Sequence, residues 1–396
     1  MNRPGIRLVI GCALLLVGLI VRLPHASAAV IQVTTTADGG PGSLRAAFTT
    51  ANGNGQDDEI VLASSATYLL TICGAAAEED ANADGDLDHT PGNALTITGN
   101  GATIRNTCPD ERVIEQLGTG LLTLREVTIT GGSTADNGGG IQATSSDVTV
   151  ANSSVSWNSS DFGGGIYAPS GDTTVISSTV SMNTAGPGST GGGIHGSAGD
   201  VIVTSSTFAG NTAGDDGGGI RTSAGSITIT GSTFAGNQAA AQGGGLRTSG
   251  GDVTIMNSTL TGNTAGQDGG AIIDVSGSVL LNNTTVVGND ASFGGDALAV
   301  SSTAQIANTI LSGPQEDCGG GGTFISNGYN IGSDASCNLT SSGDQPGTDA
   351  QLLPLADNGG QPRPTRWPRG ARRSTPAAQL PLVRAEPRAR PPTNEA

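Results

Sequence analysis

Two sets of side chains in this sequence are of types and spacings that could do chemistry. The first is Asp80-Ala81-Asn82-Ala83-Asp84-Gly85-Asp86-Leu87-Asp88. It offers oxygen ligands from Asp80, Asn82, Asp84, Asp86 and Asp88 at alternate positions with a glycine at the sixth, a pattern suited to a hard cation such as calcium. Position twelve is Pro91, where a closing carboxylate would stand, so the same acids also read as a solvated stretch. The second set is Tyr167, His195, Arg221 and Arg247 with the acids Asp215, Asp216 and Asp268. Imidazole, guanidinium and carboxylate can move protons if they converge; left apart, they are charge pairs on a wetted face. Elsewhere the sequence holds no nucleophile–base pair and no His/Cys cluster at metal-ligand spacing.

A repeat must position these groups. Gly-Gly-Gly followed by an aliphatic residue ends at Ile141, Ile166, Ile194, Ile220 and Leu246; Gly-Gly-Ala-Ile ends at Ile272, and a degenerate copy ends at Leu298. Between these stand Asn158, Asn183, Asn211, Asn237, Asn263 and Asn289, each three residues after an apolar one. The step from aliphatic to Asn is always 17 residues, and the return step is 8, 11, 9, 9, 9 and 9. One side of the repeat is fixed in length while the other tolerates insertion, which is the mark of a stacked solenoid with loops on one face. β-Branched residues alternate in the fixed segment, as in Val201-Ile202-Val203 and Asp252-Val253-Thr254-Ile255, and favour short strands. The spacing predicts an all-β parallel β-helix of about nine coils with three strands per coil. The Asn residues should turn the corners in left-handed backbone and join their amides in a ladder along the axis. Arg221 and Arg247 each follow the closing aliphatic, as His195 does, so alternation places all three outward and stacked at about 4.8 Å per coil.

Phe208-Ala209-Gly210-Asn211 and Phe234-Ala235-Gly236-Asn237, each leading to a glycine motif, together with Gly269-Gly270-Ala271-Ile272, resemble the Phe-x-x-Asn and Gly-Gly-Ala-Ile repeats of polymorphic outer-membrane proteins. That resemblance covers about 160 residues; it implies a right-handed β-helix at the cell surface, used mostly for adhesion. Those proteins end in a membrane-embedded β-barrel, and no such segment follows Asn289 here. Asp215-Asp216 and Ile194-His195-Gly196 also resemble the paired aspartates and Gly-His-Gly of polygalacturonase-like enzymes, in reversed order. An arginine beside calcium-holding aspartates is similar to the arrangement in pectate lyases.

Composition narrows the partners. Residues 29–360 carry six arginines, no lysine and 32 acids, a net −26 that repels phosphate backbones and argues against nucleic acid. Aromatic residues make up 3% of the chain, thin for an ordinary core of this length but enough for a narrow aliphatic column. The glycine runs are poor phosphate cradles, since no lysine accompanies them.

The ends differ from the body. Residues 1–28 read as a secretory signal, with Arg3 and Arg7 before an apolar run and Ala26-Ser27-Ala28 for cleavage. No later segment is long and apolar enough to span a membrane as a helix. Export makes disulfides the expected state of Cys73, Cys108, Cys318 and Cys337, and sequence locality pairs Cys73 with Cys108 and Cys318 with Cys337. Residues 29–94 should form an N-terminal cap and first strands, with a helix from Ser43 whose face Leu44, Ala47, Phe48 and Ala51 plugs the column. The β-helix proper is expected over 95–312 and a C-terminal cap over 313–360. Gly40 to Arg45 resembles the Cys-Ser-Leu-Arg-Glu-Ala segment of exported β-helix proteins, with Gly42 and Ala46 in place of Cys and Glu. Residues 328–360 resemble the choice-of-anchor end segment of such proteins. After Gly360 the composition turns Arg- and Pro-rich, and a shifted reading frame would restore that family's Pro-Ala-Ile-Asp; residues 361–396 are therefore expected to be frame-shifted or otherwise non-native, and disordered.

The function expected from these observations is that of a secreted or cell-surface protein that binds a polysaccharide or a surface protein. That function requires no cofactor, and calcium is the one ion the residues suggest. The alternative is a polysaccharide lyase or glycoside hydrolase using His195, Asp215, Asp216, Arg221 and Arg247. The sequence leaves the oligomeric state open.

Overall fold

The computed structural model describes residues 28–74 and 81–352. The expected signal and the tail beyond Gly360 lie outside these residues. The chain winds as an all-β parallel β-solenoid of about eleven turns, two more than the nine expected from the glycine and Asn spacing. The additional turns lie at the ends, where that signal is missing but pairing is not. Ala29–Gln32 pairs with Asp58–Val61, which pairs with Leu95–Ile97 and Thr98. At the far end Thr303–Ala307 still pairs with Ser278–Asn282, and Thr323–Ser326 pairs with Thr303–Ala307.

A representative coil has four strands rather than three: Val201–Thr204, Thr207–Ala209, Thr212–Gly214 and Ile220–Thr222. The first two belong to a 21-stranded sheet, the third to a 6-stranded sheet and the fourth to a 10-stranded sheet. The third is only two or three residues long in most coils, too brief to show a period of two in the sequence. Inside, the aliphatic residues that close the glycine motif stack from Ile141 to Leu298, all fully buried. Phe208 and Phe234 lie face to face, ring centroids 4.6 Å apart.

Two corners of every coil are held by side-chain ladders. The amide Oδ1 of each ladder Asn accepts from the backbone N–H and the Nδ2 of the preceding coil's Asn, at 2.8–3.1 Å from Asn158 to Asn289. The Asn residues are not themselves left-handed. The residue before each one is: Trp157, Met182, Gly210, Gly236, Gly262 and Gly288 have φ between 54° and 63°. The bend is made one position earlier, which frees the Asn backbone N–H to join the ladder. The other corner follows the same plan with hydroxyls: the backbone N–H of Ser153, Ser178, Ser206 and Ser232 each donates to the next coil's Ser Oγ at 3.0–3.1 Å.

The N-terminal end is closed by the helix Leu44–Asn54, capped by Ser43 Oγ accepting from the Ala46 N–H and ended by Gly55 in left-handed backbone. Leu44, Ala47, Phe48 and Ala51 are buried against the first coils. Disulfides join Cys73 to Cys108 and Cys318 to Cys337, one near each end of the described solenoid. Among the described residues no helix is long and apolar enough to cross a membrane.

Candidate functional site

The register of the ten-stranded sheet gathers both sets of candidate residues. Its outward positions pair coil to coil as Asp88, Glu115, Gln142, Tyr167, His195, Arg221, Arg247, Ile273, Ala299 and Gly319. A single row therefore runs from acid through amide, aromatic ring and imidazole to two guanidiniums, and ends in aliphatic side chains of falling size. Nothing in the sequence placed Asp88 and Arg247 on one line, because eleven residues between Asn183 and Ile194, against eight or nine in other coils, blur the period.

At the acidic end Asp86, Asp88 and Glu115 are buried, with one oxygen of each within 4.8 Å of the others, a grouping that could hold a metal ion. Arg112 shares the site: its Nη1 donates to Glu115 Oε2 at 2.8 Å and Asp86 Oδ2 at 3.3 Å. Gln142 Nε2 donates to the other Glu115 oxygen at 2.5 Å. The rest of the acidic run points elsewhere. Asp84 Oδ1 lies near Gly74 beside Glu111, and the Asn82 side chain bonds the backbone N–H and carbonyl of Asp88. Asp80 lies outside the described residues. The backbone of the run surrounds an arginine: Arg45, from the cap helix, donates to the carbonyls of Asp84, Gly85 and Asp86 at 2.5–2.8 Å and to Asp38 at 2.7 Å. One guanidinium thus fills a nest of carbonyls, and the acidic loop serves to fasten the cap helix to the first coils.

Mid-row, His195 is wedged rather than presented. Its ring stacks on Tyr167 with centroids 5.3 Å apart and meets the edge of Phe162 at 5.5 Å. The Thr190 hydroxyl lies 2.8 Å from Nδ1 and the Ser197 hydroxyl 3.2 Å from Nε2. Burial, reinforced by the Arg221 charge and opposed by the Thr190 contact, pushes the imidazole down to about 4, so it is neutral at pH 7. Asp215 and Asp216 do not bond to it. Asp216 pairs instead with Arg247 Nε at 3.2 Å and accepts from the Gln242 N–H at 3.1 Å. Burial raises the Asp216 carboxyl, against the pull of Arg247. Arg221 donates from Nη1 to Ser223 Oγ at 2.5 Å, while its buried Nε has no hydrogen-bond partner. Arg247 donates from Nη1 to Ser249 Oγ at 2.8 Å and from Nε to Gln242 Oε1 at 3.3 Å. Each of these side chains lies along a groove floor and is tied to a loop wall; His195 and Arg247 are tied to both. Among the described residues no carboxylate bonds to His195.

His195 gives a pH dependence whose sign is fixed by its surroundings. Unfolded, the imidazole titrates near 6.5; folded, near 4. Between those values the unfolded chain binds more protons, so the contribution is complete above pH 6.5 and is lost as pH falls toward 4. The difference corresponds to about 3 kcal/mol. Urea unfolding of the wild type and of His195→Gln at pH 7 and pH 4.5 should show a clearly smaller loss in the variant. The buried carboxyls are common to both proteins and cancel; equal losses would place His195 in water.

Comparison with known proteins gives one local match. Residues 205–223 match the Chlamydia polymorphic membrane protein repeat. No curated protein and no solved structure matches the chain. The matched segment is one run of a single coil, from the Ser205 bend through Phe208, Asn211 and the Gly217–Gly219 motif to Arg221. It contains the structural residues of the repeat and one member of the outward row.

Proposed function

We propose that the protein acts at the cell surface or as a secreted factor, and that it binds a polysaccharide or surface protein without transforming it. The observation that carries this reading is the match of residues 205–223 to the Chlamydia polymorphic membrane protein repeat, set in a solenoid of about eleven turns. The state of the outward row supports it. His195, Arg221 and Arg247 each bond to their own loop walls, which suits a stiff surface more than a reaction centre. A long parallel solenoid also presents a large side area for its mass, and such surfaces commonly serve as binding platforms.

The test couples adherence to cleavage. Beads coated with the full chain should adhere to cultured epithelial cells above albumin-coated beads, and soluble protein should compete. The same preparation incubated with polygalacturonate and with neutral polysaccharides should release no unsaturated or reducing ends. Cleavage that disappears in Arg221→Ala or Arg247→Ala would replace this reading with a lyase. Absence of both adherence and cleavage would remove the surface-binding reading.

A further inference from the structure

The outward row of the ten-stranded sheet changes size abruptly. Arg247 is followed by Ile273, then Ala299, then Gly319, each paired with the one before. A cavity of about 270 Å³ opens over these coils. Ile273 and Ala299 form its aliphatic floor, Gln242 and Asp268 one wall, Val275 the other, and Arg247 the upstream end. The volume is just below the roughly 300–1,000 Å³ of sites for drug-sized ligands, which sets the occupant at one ring.

The polar groups define its chemistry. Arg247 spends Nε on Asp216 and Gln242 and Nη1 on Ser249. Asp268 spends Oδ2 on Gln242 Nε2 at 3.4 Å. Among the described residues this leaves the Nη2 donor of Arg247 and the Oδ1 acceptor of Asp268 without a partner. A ligand between them must both accept and donate hydrogen bonds, and it must also meet the exposed aliphatic side chain of Val275. Charge decides the rest. An anion would meet Asp268 within a body of net −26, while a cation would meet the guanidinium of Arg247. A neutral pyranose fits all of these conditions: vicinal hydroxyls for Arg247 and Asp268, and a C–H face for the exposed side chain of Val275.

We infer that this cavity binds a single neutral pyranose residue of a glycan. The inference rests on the surface-binding reading and supplies a ligand class for it. Saturation-transfer NMR with the full chain and the methyl glycosides of glucose, galactose, mannose and N-acetylglucosamine tests it, with galacturonate as the acidic control. At least one neutral glycoside should bind, and galacturonate at least tenfold more weakly. Ala299→Phe, which fills the cavity from its floor, should abolish the signal, and Asp268→Asn should weaken binding at least fivefold, with unchanged melting in the latter. The inference is overturned if no neutral glycoside binds, if galacturonate binds as well or better, or if binding survives in both variants. Bead adherence measured in parallel separates the two readings: adherence without sugar binding rejects the pocket alone, and loss of both rejects the surface-binding reading too.

Discussion

Asn237→Ala should lower the unfolding free energy by about 4 kcal/mol, measured by urea denaturation at pH 7. Asn237 is fully buried, and its Oδ1 takes two donors from Asn211, the backbone N–H at 3.1 Å and Nδ2 at 2.9 Å. Its own Nδ2 serves the Phe208 carbonyl at 3.1 Å and Asn263 Oδ1 at 2.8 Å. Alanine strands two buried donors on one side and removes a donor from two acceptors on the other. Each orphaned buried group costs about 1–3 kcal/mol, and the interior leaves no solvent to replace the amide. Asn158→Ala is the control. Its Nδ2 also serves two acceptors, but its Oδ1 takes one donor, the Gly132 N–H, so one donor fewer is stranded and its loss should cost about 1–3 kcal/mol less. Equal losses at the two positions would show that the amides act as corner fillers and not as a linked chain.

Gly218→Ala should be comparably severe, costing about 3 kcal/mol or more, and should reduce the yield of folded protein. A Cβ at Gly218 would stand 2.4 Å from the Gln238 carbonyl oxygen and 2.5 Å from that of Gly244, both backbone atoms of the next coil. No rotamer relieves a backbone contact, so the coils would have to separate. Gly236→Ala makes the same change where nothing lies within 4 Å and only a left-handed backbone, φ +63°, opposes it; about 1–2 kcal/mol is expected. The chain contains its own version of the test. At the position equivalent to Gly218 the degenerate copy has Asp296, buried and accepting from the Ala291 and Gln315 N–H groups, and the next coil is there built differently. At this position the motif holds a side chain in its last copy, which no further copy follows.

Much of the architecture can be read from the sequence because the solenoid repeats its physics at a fixed interval. Leu122, Leu124 and Ile129 carry no glycine signal, yet they hold the offsets from Gly132 that Val201, Val203 and Phe208 hold from Asn211, and they pair with Val148, Val150 and Val155. The disulfide pairing followed from locality. What escaped reading was of two kinds. The serine ladder at Ser153, Ser178, Ser206 and Ser232 has the same spacing as the Asn ladder, but serine is so common in this chain that its regularity does not stand out. The contacts of Arg45 with residues 84–86 and of Asp86 with Arg112 join segments that share no period, so no spacing could announce them. For the same reason the acidic run read as one site, whereas the folded chain divides it between Gly74, Glu115 and the cap helix.

The two ladders also give the molecule a mechanical character. Their hydrogen bonds lie along the solenoid axis, and the coils from Asn158 to Asn289 hang from one another by the same amide set. Tension on the axis would peel the structure from an end, and each coil released would yield about 26 residues, roughly 90 Å of extended chain. Peeling starts where a coil has only one neighbour. Those are the places where Cys73–Cys108 and Cys318–Cys337 close loops of 35 and 19 residues, which cannot be paid out while the bonds are intact. The disulfides are latches on the two ends of a spring whose middle needs none.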